Sequence, residues 1–215
     1  MIDAGIRETH PCKTLTFTGK RSKEIIIEDL FSQKELELLL EREERYSFLT
    51  HRNKAIISLL IYQGAALNEL ERMKLEDVDF DKGLFRLRGT RLIRSRKLEF
   101  HPRQYRIFEK YIFEERKLLE REKTDAIFIN KVGTPLLGDS INSIIESAKG
   151  LFPDRVINPK IIRKSVVSIW LNEKGIPLEQ AQLMAGHKWI STTIRYRQQS
   201  TDKQRELINR FHPLG

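Results

Sequence analysis

Residues Ala55-Ile56-Ile57-Ser58-Leu59-Leu60-Ile61-Tyr62 form an apolar block that does not alternate with polar residues and stops only at Gly64. The block is too long for a typical strand, and a helix that is apolar on every side must be enclosed by other elements. The rest of the chain has to surround it, and 215 residues are enough to bury such a core.

The flanking segments supply candidates. Ser32-Gln33-Lys34-Glu35 matches a capping box, in which a serine and the glutamate three residues on satisfy each other's backbone amides. A helix with Leu36, Leu39 and Leu40 on one face follows it. Asn68-Glu69-Leu70-Glu71 restarts a short helix. Val78, Phe80, Leu84, Phe85 and Leu87 then alternate around the turn Asp81-Lys82-Gly83, a strand signal. A second strand is predicted from Lys97 to Phe100, with Arg88, Arg91, Arg94 and Arg96 in the loop before it. Pro102 opens a long helix to about Lys123, whose residues Arg106, Glu109, Lys110, Glu114, Glu115, Arg116 and Lys117 read as a solvated face. Ile127-Phe128-Ile129 is a short apolar run before the turn Val132-Gly133-Thr134-Pro135. Helical segments follow near 139–149, 160–173, 178–184, 190–197 and 202–210. The expected fold class is α+β, mostly α with one small antiparallel sheet.

Residues 1–28 lack a sustained helical period and carry the basic run Lys20-Arg21-Ser22-Lys23, so they read as an arm or linker, with one domain over 29–215. Composition narrows the function classes. A formal charge of +9 favours a polyanionic partner without choosing among DNA, RNA, an acidic protein and a membrane surface. No apolar run approaches the roughly 20 residues of a bilayer crossing, and MIDAGIRETH lacks the charged-then-apolar order of a secretory signal. The single cysteine, Cys12, excludes an internal disulfide and fits a reducing, cytoplasmic compartment.

Two segments carry candidate chemistry. Lys160, Arg163 and Lys164 fall at i, i+3 and i+4 behind Asn158-Pro159, opposite a face of Ile162, Val166, Ile169 and Trp170. Cations near a helix N-terminus can hold a phosphate together with the backbone amides there, and a solvated basic face has the same pattern. The second segment is Gly186-His187-Lys188-Trp189-Ile190-Ser191-Thr192-Thr193-Ile194-Arg195-Tyr196. Gly186 reads as a helix C-cap, Ser191 or a neighbour as the next N-cap, and Tyr196 lies about two turns further on. Taken alone, a histidine beside a glycine is usually structural and a lone tyrosine usually packs.

Taken together, Gly-His-x-x-Ile-Ser-Thr-Thr-x-x-Tyr downstream of a basic-x-x-Arg helix resembles the catalytic domain of tyrosine recombinases, the phage-type integrases. Leu60-Ile61-Tyr62-Gln63-Gly64 followed by Asn68-Glu69-Leu70, Asp77-Val78-Asp79 before the arginine-rich hairpin, and the closing Phe211-His212-Pro213-Leu214 extend the likeness from about residue 30 to the C-terminus. The resemblance implies phosphoryl transfer on double-stranded DNA: a tyrosine attacks a phosphodiester, and arginines with a histidine or lysine bind the non-bridging oxygens. A hairpin lysine protonates the leaving hydroxyl, and no metal or cofactor takes part. It implies Tyr196 as nucleophile, with Arg163, Lys160 and His187 on the phosphate. Lys164, Arg88, Arg91, Arg94, Arg96 and Lys188 would make further DNA-phosphate contacts. It also implies a homo-oligomeric, tetrameric synapse on nucleoid DNA, the free chain being able to exist as a monomer. The C-terminal segment with Leu207, Ile208 and Phe211 could dock on a neighbouring subunit or pack on its own domain.

Two positions depart from the pattern. The family's first arginine ends a Gly-Leu-Arg-like triplet, and Gly64-Ala65-Ala66 puts Ala66 there. The hairpin lysine should follow Gly89-Thr90-Arg91, where Leu92 stands, with Arg91 and Arg94 the nearest cations. A guanidinium with a pKa above about 12 rarely gives up a proton. The expectation is a recombinase domain with impaired cleavage, or a catalytically inactive DNA-binding relative in a synapse. Full-length members place a helical DNA-clamping domain in front, and residues 1–28 resemble the linker that follows it.

Overall fold

The computed structural model describes residues 30–197. The expected arm over 1–28, the segment at 202–210 and the Phe211-His212-Pro213-Leu214 tail lie outside the described residues.

The apolar block is the centre of the molecule. It forms α2 (Thr50–Gln63), following α1 (Gln33–Glu41). Ala55, Ile56, Ile57, Leu59, Leu60 and Ile61 of α2 are all buried, and the helix contacts α1, α4 (Pro102–Lys110), α6 (Gly138–Glu146) and α7 (Pro159–Asn172). The Ser32 capping box opens α1, and Leu36, Leu39 and Leu40 turn into this core. Gly64 ends α2 in the left-handed conformation, φ 55°. Ile162, Val166, Ile169 and Trp170 of α7 are buried as their spacing predicts, joined by Ser165, Val167 and Ser168.

After α3 (Leu67–Glu71) come three short antiparallel strands, β1 (Val78–Asp79), β2 (Leu84–Leu87) and β3 (Arg96–Glu99), ordered β1-β2-β3. The fold class is mostly α with a small antiparallel sheet, as the sequence indicates. The strand predicted from Lys97 to Phe100 is β3, which begins and ends one residue earlier, and Arg96 pairs directly with Leu87.

The long helix predicted from Pro102 to about Lys123 is shorter and broken in register. A π-helical turn at Tyr111–Glu115 separates α4 from α5 (Arg116–Leu119). Its wider turn rotates the following residues relative to an ideal α-helix. Glu115 and Arg116, expected on the solvated face, are therefore buried. The Glu115 carboxylate accepts the His51 and Arg52 amides at 2.8 and 3.1 Å, satisfying donors at the start of α2. Arg116 donates to the carbonyls of Thr124, Ala126 and Ile127. Ile127-Phe128-Ile129 is a buried connection, with single bridges at Ala126 and Ile129 in place of a strand. α8 (Leu178–Ala185) and α9 (Ile190–Ile194) follow, and α9 stops before Tyr196.

Candidate active site

Asn158 caps α7, its side chain accepting the Ile161 amide at 2.9 Å, with Pro159 at the first helical position. This fixes Arg163 one turn in, where its guanidinium joins two helix ends. It donates to the Gly64 carbonyl at the end of α2 and to the Ala185 carbonyl at the end of α8, the latter at 2.6 Å. Both acceptors are terminal helix carbonyls without an intrahelical donor, and a cation there also meets the negative end of each helix dipole.

Behind Arg163 lies a buried carboxylate, Glu69. It caps α3 by accepting the Ala66 amide at 2.8 Å, forms an ion pair with Arg96, and lies 3.8 Å from Arg163. Arg96 also donates through Nε to the Met184 carbonyl at 2.6 Å. Two guanidiniums therefore share one carboxylate and together hold the last turn of α8, leaving the buried cluster with excess positive charge. A buried ion network of this kind fixes geometry more dependably than it adds stability.

That turn delivers His187. Gly186 closes α8 with φ 69°, and a Cβ on it would come within 2.6 Å of Arg96 Nη1 and 2.9 Å of the Arg94 carbonyl. Only glycine gives both the backbone conformation and the close approach of the hairpin. The hairpin is hydrogen bonded here: the Arg94 amide donates to the Gly186 carbonyl at 2.7 Å, Ile93 and His187 form an antiparallel bridge, and Lys188 Nζ donates to the Arg91 carbonyl at 2.6 Å.

His187 is buried, with Nδ1 3.0 Å from Thr193 Oγ1 and its ring stacked on that of Tyr196, centroids 5.9 Å apart. Burial, then the positive charges of Arg163 and Arg96, push its pKa down to about 4, so it is neutral at pH 7. Arg163 is lowered to about 10 by burial and by Arg96, against the opposing pull of Glu69 and Tyr196, and stays charged. Burial raises the Tyr196 hydroxyl above its ordinary value, with Arg163 and then Arg195 opposing it. The Tyr196 carbonyl accepts from Asn172 at 2.8 Å, which ties the residue to the far end of α7.

Arg163, His187 and Tyr196 are thus brought together. Lys160 is exposed on the first turn of α7 and Lys164 half-buried, and no described contact ties either to the cluster. Arg91, Arg94 and Lys188 are exposed around the hairpin tip. Arg88 is occupied by Asp77 and Glu76. Arg96, expected on the phosphate-contacting surface, is instead inside the cluster on Glu69, because its pairing with Leu87 puts it on the buried face of the sheet. Ala66 is half-buried beside Glu69, and Leu92 points to solvent, 76% exposed. Glu69 and Thr193 are members of the site to which the sequence motifs give no role, and Arg96 joins them in place of its expected phosphate contact. Among the described residues no group of three or more His, Cys, Asp or Glu side chains could hold a metal ion.

Residues 30–203 match the phage integrase family. The tyrosine recombinase XerC of Oceanobacillus iheyensis is 30% identical over 188 residues, covering 84% of this chain and 60% of the relative. XerD of Halalkalibacterium halodurans is 29% identical over 181 residues, covering 83% and 60%. The chain thus spans about three fifths of the length of these curated relatives. Among solved structures, the XerA recombinase superposes with a TM-score of 0.67 at 20% identity, covering 92% of this chain and 67% of the other. XerH, solved as a post-cleavage complex with its palindromic difH substrate, gives 0.66 at 20% identity, covering 84% and 51%. These likenesses establish the fold, and the sequence match over most of the chain goes further: the chain belongs to the phage integrase family, and its described residues form a tyrosine recombinase catalytic domain.

Proposed function

We propose that this domain binds double-stranded DNA and cleaves and rejoins its strands through Tyr196, at a rate reduced by the residues at 66 and 92. The observation that carries the reading is the convergence of Arg163, a neutral His187 and Tyr196 at the ends of α2, α7 and α8. The Tyr196 hydroxyl attacks phosphorus, a 3′-phosphotyrosyl bond forms, and the bond to the 5′ oxygen breaks, releasing a 5′-hydroxyl. A partner strand's 5′-hydroxyl reverses the step, so no water is consumed. Arg163 keeps N–H groups beyond those spent on Gly64 and Ala185, and these suit non-bridging oxygens. Tyrosine is protonated at neutral pH and burial raises the Tyr196 hydroxyl further, so its proton must leave during attack, and an unprotonated imidazole is stacked on its ring.

The family resemblance assigns its first arginine to position 66, where this chain has only the Ala66 methyl, and one such arginine is worth on the order of 10³ to 10⁵ in rate. A missing proton donor at Leu92 costs roughly 10² to 10⁴ more unless the two act as a unit. Lys160, Lys164, Arg91, Arg94 and Lys188 contribute phosphate contacts in this reading. The working assembly is a tetrameric synapse on nucleoid DNA, reached from a free monomer.

The same Ala66 favours a second reading, a subunit that occupies recombination sites without cutting. A suicide DNA substrate separates the two. A covalent, protease-sensitive adduct that disappears in Tyr196→Phe supports strand cleavage. Salt-dependent DNA binding with no adduct selects the passive subunit.

A further inference from the structure

The cations of the hairpin divide into two groups. Arg86 and Arg88 pair with Asp77, and Arg96 pairs with Glu69. Arg91, Arg94 and Lys188, all exposed, meet no carboxylate among the described residues: Lys188 Nζ donates to the Arg91 carbonyl, and Arg94 Nη2 to the Lys188 carbonyl at 3.3 Å. Uncompensated positive charge is therefore gathered where the hairpin tip meets the turn after α8.

Two large apolar side chains stand in that same place. Leu92 is 76% exposed and Trp189 is 74% exposed, the most exposed aromatic residue described. They lie on the two segments joined by the Ile93–His187 bridge, Leu92 just before Ile93 and Trp189 two residues after His187. An indole left in water loses the apolar burial that tryptophan ordinarily gains, and its backbone role as the residue before α9 makes no use of the ring. Surrounding cations make a poor setting for an apolar protein partner and a good one for a polyanion that also offers flat apolar faces. Nucleic acid combines the two, with phosphates outside and bases and sugars within.

We infer that Trp189, with Leu92 beside it, is a nucleotide-contacting wedge that packs on base or sugar faces of duplex DNA while Arg91, Arg94 and Lys188 hold the adjoining phosphates. The inference rests on the DNA-binding reading above and adds an apolar contact to it. Phosphate contacts release counterions, so their loss lowers the salt dependence of binding, whereas loss of an apolar contact lowers affinity at every salt concentration alike.

The chain's two tryptophans allow a direct test, since Trp170 is buried at 3% exposure and only Trp189 is open to a soluble quencher. The intact chain is titrated with mixed-sequence duplex DNA, following anisotropy of the labelled duplex and acrylamide quenching of tryptophan emission. Bound DNA is expected to shield Trp189. Trp189→Ala should weaken binding about tenfold with an unchanged salt slope, and Leu92→Ser less, while Arg94→Gln should flatten the slope. Exposure of Trp189 means that Trp189→Ala leaves the fold intact, checked by circular dichroism. DNA binding with an unshielded Trp189 and an affinity unchanged in Trp189→Ala would overturn the wedge and leave the DNA-binding reading standing. Absence of binding by the unaltered chain would overturn both. Shielding that follows protein concentration without DNA would assign Trp189 to a contact between copies and likewise overturn the wedge.

Discussion

The imidazole of His187 lies nearly parallel to the phenol of Tyr196, their planes 15° apart. The proton balance of the site follows from where that imidazole sits. Burial first, then Arg163 and Arg96, hold its pKa at about 4 against an ordinary 6.5. Between these values the unfolded chain binds a proton that the folded chain refuses. The stabilising contribution is therefore complete above about pH 6.5 and is lost as pH falls toward 4. Urea midpoints measured across this window should fall with pH, and His187→Gln should flatten that part of the profile. The His187 ring followed by NMR should titrate near pH 4; a midpoint near 6.5 would show the ring to be open to water and without its cationic neighbours.

Arg163 tests whether one side chain serves both architecture and chemistry. Its guanidinium holds the ends of α2 and α8 through Gly64 and Ala185. Arg163→Ala leaves both carbonyls without this donor and Glu69 with Arg96 as its remaining guanidinium, a loss of about 2–4 kcal/mol in stability. Arg163→Lys keeps the charge, but a single ammonium lacks the planar fork that reaches both acceptors, so it should lose less stability and still forfeit adduct formation. Equal adduct yields from the lysine variant and the unaltered chain would show that charge alone suffices.

Restoring the missing groups should raise cleavage. Ala66→Arg introduces a guanidinium at the residue whose backbone amide Glu69 holds, and should increase adduct formation by at least about 10²-fold if the position is the family's first arginine. For the proton donor the structure offers two places. Leu92 is solvent-exposed, whereas the Arg94 backbone is bonded directly to Gly186 beside His187. Leu92→Lys and Arg94→Lys, each made on the Ala66→Arg background, should give unequal gains, and the larger gain identifies the register of the hairpin. No gain from any of the three would remove the assignment of these positions.

Features set by neighbours along the chain are legible in the amino-acid sequence itself. The Ser32 capping box, the glycine ends of α2 and α8 and the burial of α2 depend on local rules that hold wherever the segment folds. Glu115 and Arg116 are not legible in this way, because the π turn at Tyr111–Glu115 changes which face they occupy, and nothing local marks it. Arg96 falls between these cases. It stands among arginines that face water, and its burial depends on Glu69 and Met184, distant in sequence. The alternation Arg96, Leu98, Phe100 does carry the signal: it puts Arg96 on the same face of its strand as two apolar residues, and a strand begun one residue earlier reveals it. The Tyr196 cluster is legible as an ordered motif, since its spacing reflects a shared geometry, but the carboxylate beneath it is not.

Gly186 links the hairpin to the His187 turn, and its substitution should show how far the site depends on that docking. Gly186→Ala must adopt φ 69° with a side chain and place a methyl within 2.8 Å of the Ile93 side chain and 2.9 Å of the Arg94 carbonyl. Left-handed backbone costs about 1–2 kcal/mol and relief of the overlap about 1–3 more, so thermal unfolding should show a loss of about 2–5 kcal/mol. The methyl meets the hairpin, including the Arg96 guanidinium that pairs with Glu69, and not the core around α2, so the damage should centre on the hairpin, that ion pair and the end of α8. Hydrogen exchange should then accelerate at the amide of Arg94, which loses its bond to Gly186, and at His187, while the amides of α2 remain protected relative to global stability. Displacement of the His187 turn also removes the stacking on Tyr196, so adduct formation should fall further than the stability loss alone accounts for. An adduct yield that tracks only the folded fraction would show that the His187 turn holds its place without the hairpin.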